Sequence, residues 1–88
     1  MALFLIDKNL SQMGLLLAKT EENARVVLIQ DGVFIEVSRD DFLPGTEIFY
    51  VENDLAKRGI ENIPEGSRMI NYDELIDLIE NEKIYNFI

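Results

Sequence analysis

The stretch V-V-L-I-Q-D-G-V-F-I, Val26 to Ile35, decides how this chain folds. An apolar run leads into Gln30-Asp31-Gly32, and apolar character resumes at once. Two readings compete. Asp-Gly between apolar runs is a strong type I′ hairpin signal, in which Val33–Val37 would pair back onto the preceding strand. Alternatively, a buried strand ends at Gln30 and the loop after it lies at the carboxyl edge of a parallel sheet. Open α/β folds place their ligands and contacts at that edge. Gly32 would then supply a sharp exit with backbone angles that other residues avoid.

The flanking sequence speaks for the second reading. Ala2–Ile6, Arg25–Gln30 and Glu47–Val51 are continuous apolar runs, and Ser67–Ile70 is a weaker one. Runs of this kind, without polar alternation, suit strands covered on both faces, as in a parallel sheet. Helical patterns fill the gaps. Asn9 is placed to cap a helix through about Lys19, with Gln12 at the capping-box position and Leu10, Met13 and Leu17 on one face. Asn53 is placed to cap a short helix ending at Lys57-Arg58, with Gly59 as its stop. Asn71 is placed to cap Y-D-E-L-I-D-L-I-E-N. There Tyr72, Leu75, Ile76 and Ile79 form an apolar stripe, and Asp73, Glu74, Asp77 and Glu80 face water. Strands separated by helical crossovers predict a three-layer α/β/α domain with a small four-stranded, mostly parallel sheet, in the order 2-1-3-4. Residues 33–45 stay open between strand, helical turn and loop. The sequence contains no repeat, linker or low-complexity segment, so residues 1–88 read as one domain.

Composition narrows the function. A domain of 88 residues buries about 60–65% of its unfolded surface and has little room for an enclosed active site. Seventeen acidic residues against eight basic ones give a net charge of −9. That balance argues against direct nucleic-acid binding, which needs clustered Lys and Arg, and against an anionic membrane surface. The absence of cysteine and histidine excludes disulfides, Cys/His zinc sites, thiol nucleophiles and imidazole bases. The five glycines are dispersed and form no phosphate loop, so no nucleotide cofactor is expected. The start, M-A-L-F-L-I-D-K-N, lacks a basic region before its short apolar run and does not read as a signal peptide, so a cytoplasmic location is expected.

Three blocks in register resemble the TusB/DsrH family of sulfur-relay proteins. They are Gln30-Asp31-Gly32-Val33, then Glu52-Asn53-Asp54-Leu55-Ala56-Lys57-Arg58-Gly59, then Ile70-Asn71-Tyr72, and the likeness spans roughly residues 1–82. The resemblance implies the DsrE/DsrF/DsrH-like α/β fold and membership of an oligomeric assembly. Its partners would be TusC/DsrF-like and TusD/DsrE-like subunits, or further copies of the chain itself. It also implies work in tRNA wobble-uridine 2-thiolation, or in related intracellular sulfur transfer, by passing persulfide sulfur along. The sulfur-carrying cysteine of such assemblies belongs mainly to the TusD/DsrE-type subunit. A persulfide carrier needs a thiolate. This chain has none, so the resemblance implies a non-catalytic, structural subunit without a cofactor. The contact residues it suggests are Gln30, Asp31 and Gly32, with Asp54 and Arg58 next.

Other readings stand beside this one. Asp7, Asp31 and Glu52 each follow an expected strand, and converging carboxylates at a sheet edge are the oxygen ligands that Mg²⁺ prefers. A small phosphoryl-handling enzyme is thus an alternative. So is a self-associating interaction module with no sulfur role. Asp54 also fits simply as a first-turn acid, and Lys57 and Arg58 as last-turn bases. Glu21-Glu22 and Asp40-Asp41 read as solvated loop charges, and Phe49 and Tyr50 as core. The apolar tail K-I-Y-N-F-I either folds back onto the core or forms a subunit contact through Tyr85 and Phe87.

Overall fold

The computed structural model describes residues 2–88. Five strands make one sheet: β1 (Ala2–Ile6), β2 (Arg25–Leu28), β3 (Glu47–Val51), β4 (Ser67–Ile70) and β5 (Lys83–Phe87). Three helices connect them: α1 (Ser11–Ala18), α2 (Glu52–Lys57) and α3 (Tyr72–Asn81). Between β2 and β3 the chain makes two 3₁₀ turns, Gln30–Phe34 and Arg39–Asp41. Every strand pairing is parallel, and the order is β4-β3-β2-β1-β5.

The α/β class and the parallel sheet are those expected. The strand count and order are not. The tail supplies a fifth strand, and β2, not β1, lies beside β3. The hairpin is also ruled out, because β2 pairs in parallel with β1 and β3 and the Asp-Gly pair sits inside a 3₁₀ turn. β2 itself stops at Leu28, two residues short of the expected end. Residues 33–45 form neither a strand nor a full helix. Val33, Val37 and Phe42 are nevertheless buried, so this irregular segment covers the sheet as a helix would.

Alternation along each strand divides the core in two. Phe4, Ile6, Val26, Leu28, Ile48 and Tyr50 pack with Leu15 of α1, Leu55 of α2 and the 33–42 segment. Leu3, Leu5, Val27, Phe49, Val51 and Ile70 pack under Leu75, Leu78 and Ile79 of α3. One helix thus serves a whole face. Its path explains this. α3 carries the chain from β4 at one edge to β5 at the other, about 19 Å away at the usual strand spacing. Ten helical residues cover about 15 Å of that distance.

The helix ends mix expected and unexpected chemistry. Asn71 caps α3 as expected, in a full capping box: its Oδ1 accepts from Glu74 N–H (2.8 Å), and Glu74 Oε1 accepts from Asn71 N–H (3.2 Å). Leu75 and Ile79 face the sheet, but Tyr72 and Ile76 of the same stripe are exposed. α1 departs further. Leu10, not Asn9, is its cap, no side chain caps it, and the Gln12 capping box does not form. Leu10, Met13 and Leu17 do share a face, but that face is exposed; Gly14 and Ala18 face the sheet. α2 begins two residues earlier than expected, with Val51 in the cap position and Asn53 inside the helix. Gly59 ends it as predicted, at φ +68, with Ile60 N–H donating back to Leu55 O.

Tyr50 is 1% exposed, and its hydroxyl ties down the segment after the first 3₁₀ turn. The O–H donates to Ile35 O (2.7 Å) and accepts from Val37 N–H (3.4 Å). Burial raises its pKa from the ordinary value of 10.0; the Val37 N–H opposes this, and Glu36 adds to the rise. Tyr50→Phe leaves two backbone groups without this partner and will cost about 1–2 kcal/mol in urea unfolding at neutral pH. The same residue predicts alkaline sensitivity. The folded phenol keeps its proton to higher pH than the unfolded one. The stabilising difference is therefore whole below pH 10.0 and is lost as pH rises through the raised folded value. Denaturation midpoints of the wild type will fall above that pH more steeply than those of Tyr50→Phe.

Candidate functional site

Parallel strands bring all their carboxyl ends to one side. The first 3₁₀ turn follows β2 there, α2 follows β3, and α3 starts one residue after β4. The three sequence blocks therefore meet at one edge of the sheet.

Asp54 is the centre of this meeting. It lies in the first turn of α2 and is only 6% exposed. Its Oδ2 accepts from the backbone N–H of Gln30 (2.8 Å). Its Oδ1 lies 3.5 Å from the Tyr72 hydroxyl, which donates to it, and 3.8 Å from Arg58 Nη1. Arg58 in turn donates from Nε to Asp31 Oδ1 (2.9 Å) and from Nη1 to Asp54 O (3.1 Å). Gln30, Asp31, Asp54, Arg58 and Tyr72 thus form one hydrogen-bonded and ion-paired network across three elements. An open cleft of about 400 Å³ lies over it, lined also by Ile29, Lys57 and Leu75.

The backbone under the network is unusual in two places. Gln30 has φ +52, a left-handed conformation that a residue with a Cβ rarely adopts. Its N–H is the one held by Asp54. Gly32 has no positive φ, so the expected reason for a glycine is wrong. The true reason is close approach. A Cβ at Gly32 would lie 2.5 Å from Ile6 O and 3.2 Å from Asp7 Cα, so only glycine lets the turn rest on the end of β1.

The structure therefore gathers Gln30, Asp31, Gly32, Asp54 and Arg58 at one edge of the sheet. Two roles change. Asp54 is more than a first-turn charge, because it is buried and bonded. Arg58 is more than a last-turn base, because it bridges two carboxylates. Tyr85 and Phe87 lie elsewhere, on β5, where both rings stack against Phe4. The tail thus folds back onto its own sheet. The Mg²⁺ alternative gains nothing from this geometry. Among the described residues no three His, Cys, Asp or Glu side chains group as a metal would need, so Asp7, Asp31 and Glu52 do not converge. Asp7 accepts from Lys8 N–H (2.6 Å), and Asp31 is engaged by Arg58.

The family described as DsrH like protein matches residues 8–84, which include all three blocks. The chain belongs to the DsrH-like family. The solution NMR structure of protein Tm0979 from Thermotoga maritima is similar to it, with a TM-score of 0.69 and 27% sequence identity over 93% of this chain and 94% of that one. No curated protein sequence matches. Family membership supports a role connected with sulfur relay.

One member of this DsrH-like site went unread in the sequence. Tyr72 stood in the third sequence block and in the α3 stripe, but not among the expected contact residues. Its place supplied the missing signal: it opens a helix directly after a strand, so its side chain stands at the carboxyl edge beside the start of α2. No helix among the described residues is long and apolar enough to cross a membrane.

Proposed function

We propose that this DsrH-like chain is a non-catalytic subunit of a sulfur-relay assembly, serving tRNA wobble-uridine 2-thiolation or a related intracellular sulfur transfer. The observation that carries the reading is a hydrogen-bonded, cysteine-free network at the edge of the sheet where α/β folds make their contacts. Sulfur travels between proteins as a persulfide, and that chemistry requires a thiolate. This chain offers none, so the thiol belongs to a TusD/DsrE-like partner. Asp31, Lys57 and Arg58 present both signs of charge around the cleft. Complementary charge of this kind fixes the register of a docked surface and excludes wrong partners. The expected setting is the cytoplasm.

Native mass measured alone and with a cysteine-bearing TusD/DsrE-type protein of the same organism tests this. The mixture will give a new heteromeric species. Arg58→Ala will weaken it by about tenfold or more, as loss of an arginine anchor does. Cells lacking the chain will lose 2-thiouridine from tRNA, or sulfur flux where the relay serves another acceptor. Failure of the two proteins to associate would remove the proposal.

A further inference from the structure

A second cleft, of about 750 Å³, is larger than the one over the Asp54 network and lies apart from it, beside the start of β4. Residues 36–40 of the irregular segment form one wall, and residues 62–66, which lead into β4, form the other. Arg39 stands between them and is half-buried. A Cβ on Gly66 would lie 3.3 Å from both Cβ and Cδ of Arg39, so the stem of the arginine rests closely on that glycine. The guanidinium at its end has no partner. Arg25, Arg58 and Arg68 are each ion-paired with carboxylates, whereas Arg39 makes no side-chain hydrogen bond or ion pair among the described residues. In a chain with seventeen acids and eight bases, an unpaired arginine stands out. Glu36, Asp40 and Glu65 line the same cleft, yet none of them pairs with it.

A guanidinium presents a planar fork that matches a carboxylate or a phosphate. Because the stem of Arg39 is already held, less freedom is lost when the fork engages a ligand. Charge then selects the ligand. A plain anion meets three carboxylates around the cleft and a chain of net charge −9. A plain cation meets Arg39. A ligand that carries a carboxylate and also a net positive charge satisfies both. Between the charged groups, Val37, Ile63 and Pro64 add apolar wall. Small-molecule sites are commonly built this way, with apolar walls and a few fixed polar groups.

We propose that this cleft binds a basic α-amino acid, as the free molecule or as the carboxyl-terminal residue of a peptide. The carboxylate takes the fork of Arg39. The aliphatic part of the side chain lies along Ile63 and Pro64, and the cationic groups face Glu36, Asp40 and Glu65. The site is independent of the relay reading, since it shares no residue with the cleft over Asp54.

Isothermal titration calorimetry of the full chain tests the proposal without any relay partner. L-lysine will bind one to one with a dissociation constant below about 1 mM. Cadaverine is lysine without its carboxylate, and L-norleucine lacks the side-chain ammonium. Each will bind at least about tenfold more weakly, as loss of a charge-assisted contact requires. Arg39→Gln will weaken lysine about tenfold without weakening cadaverine. Arg68→Gln removes the same charge from the opposite face of the sheet, over Phe49, and will leave lysine binding unchanged. The tripeptide Ala-Ala-Lys separates the two sources: tighter binding than free lysine assigns the cleft to a peptide end, weaker binding to the free amino acid, and both sustain the proposal. No heat from lysine or the tripeptide at about 10 mM overturns it. So does lysine binding that survives Arg39→Gln. Cadaverine binding as tightly as lysine also overturns it, because the heat would then report only the attraction of cations to an acidic chain. That comparison is made on the wild type, so it decides even if a variant fails to fold. A chain that binds lysine and ignores a cysteine-bearing partner keeps this inference and loses the relay role, and the reverse result does the opposite.

Discussion

Gly32→Ala will destabilise this domain by about 3 kcal/mol, a large share of the roughly 5–10 kcal/mol a chain of this size commands. The new methyl would sit 2.5 Å from Ile6 O, a backbone atom that cannot rotate aside. That carbonyl already accepts from Ile29 N–H (3.0 Å), the bond that extends the β1–β2 ladder past Leu28. Two responses are open. The end of β1 can shift, which breaks the Ile29 bond. Or the 3₁₀ turn can lift, which pulls Gln30 N–H away from Asp54. Each sacrifices a part-buried hydrogen bond and adds the strain of overpacking. At about 4–8 °C per kcal/mol, the melting temperature will fall by about 12–24 °C. Gly59→Ala is the contrast. Nothing lies within 4 Å of a Cβ there, so only the left-handed φ of +68 resists, at about 1 kcal/mol. If the two variants melt together, close approach is not what Gly32 provides.

That contrast shows what the sequence could and could not disclose. Glycine at position 32 was legible as a requirement but not as the right one. A tight turn and a close approach leave the same letter. The strands were legible because burial on both faces demands unbroken apolar runs, and Ala2–Ile6 and Glu47–Val51 match their strands residue for residue. Their order was not, since periodicity records which residues are buried but not beside whom. The segment after Gln30 misled for a related reason. Val33, Ile35 and Val37 are β-rich because they cover a sheet, and covering needs apolar contact, not extended backbone. The tail could be placed only from the partner's side, because nothing within K-I-Y-N-F-I says that β1 has a free edge. The three blocks of the site were visible in the chain, and only the parallel sheet could show that they meet.

Asp54→Ala will destabilise the domain by about 2–4 kcal/mol, and the loss will come from three elements at once. The carboxylate is nearly buried, so removing it strands what it holds. The N–H of Gln30 loses its acceptor, and the Tyr72 hydroxyl loses its contact. Arg58 keeps Asp31 but loses the nearby inner charge. Breaking a buried pair from one side costs more than the pair contributes, because the surviving groups remain desolvated. Asp54→Asn separates charge from hydrogen bonding. Its amide oxygen can still accept from Gln30, so its cost will be nearer 1 kcal/mol. Gln30 supplies the second axis of the test. Its left-handed φ costs about 1–2 kcal/mol that a glycine would not. If Asp54 exists to hold that conformation, Gln30→Gly will gain about 1 kcal/mol in the wild type and less in the Asp54→Ala background, where Gln30 is free to relax. Urea unfolding of the two single variants and the double variant measures this coupling. Strict additivity would mean that Asp54 stabilises the turn only as a buried hydrogen-bond acceptor. Coupling would mean that the strained residue is held in place by the carboxylate. In that case Asp54→Ala should also weaken partner binding more than its distance from the surface suggests.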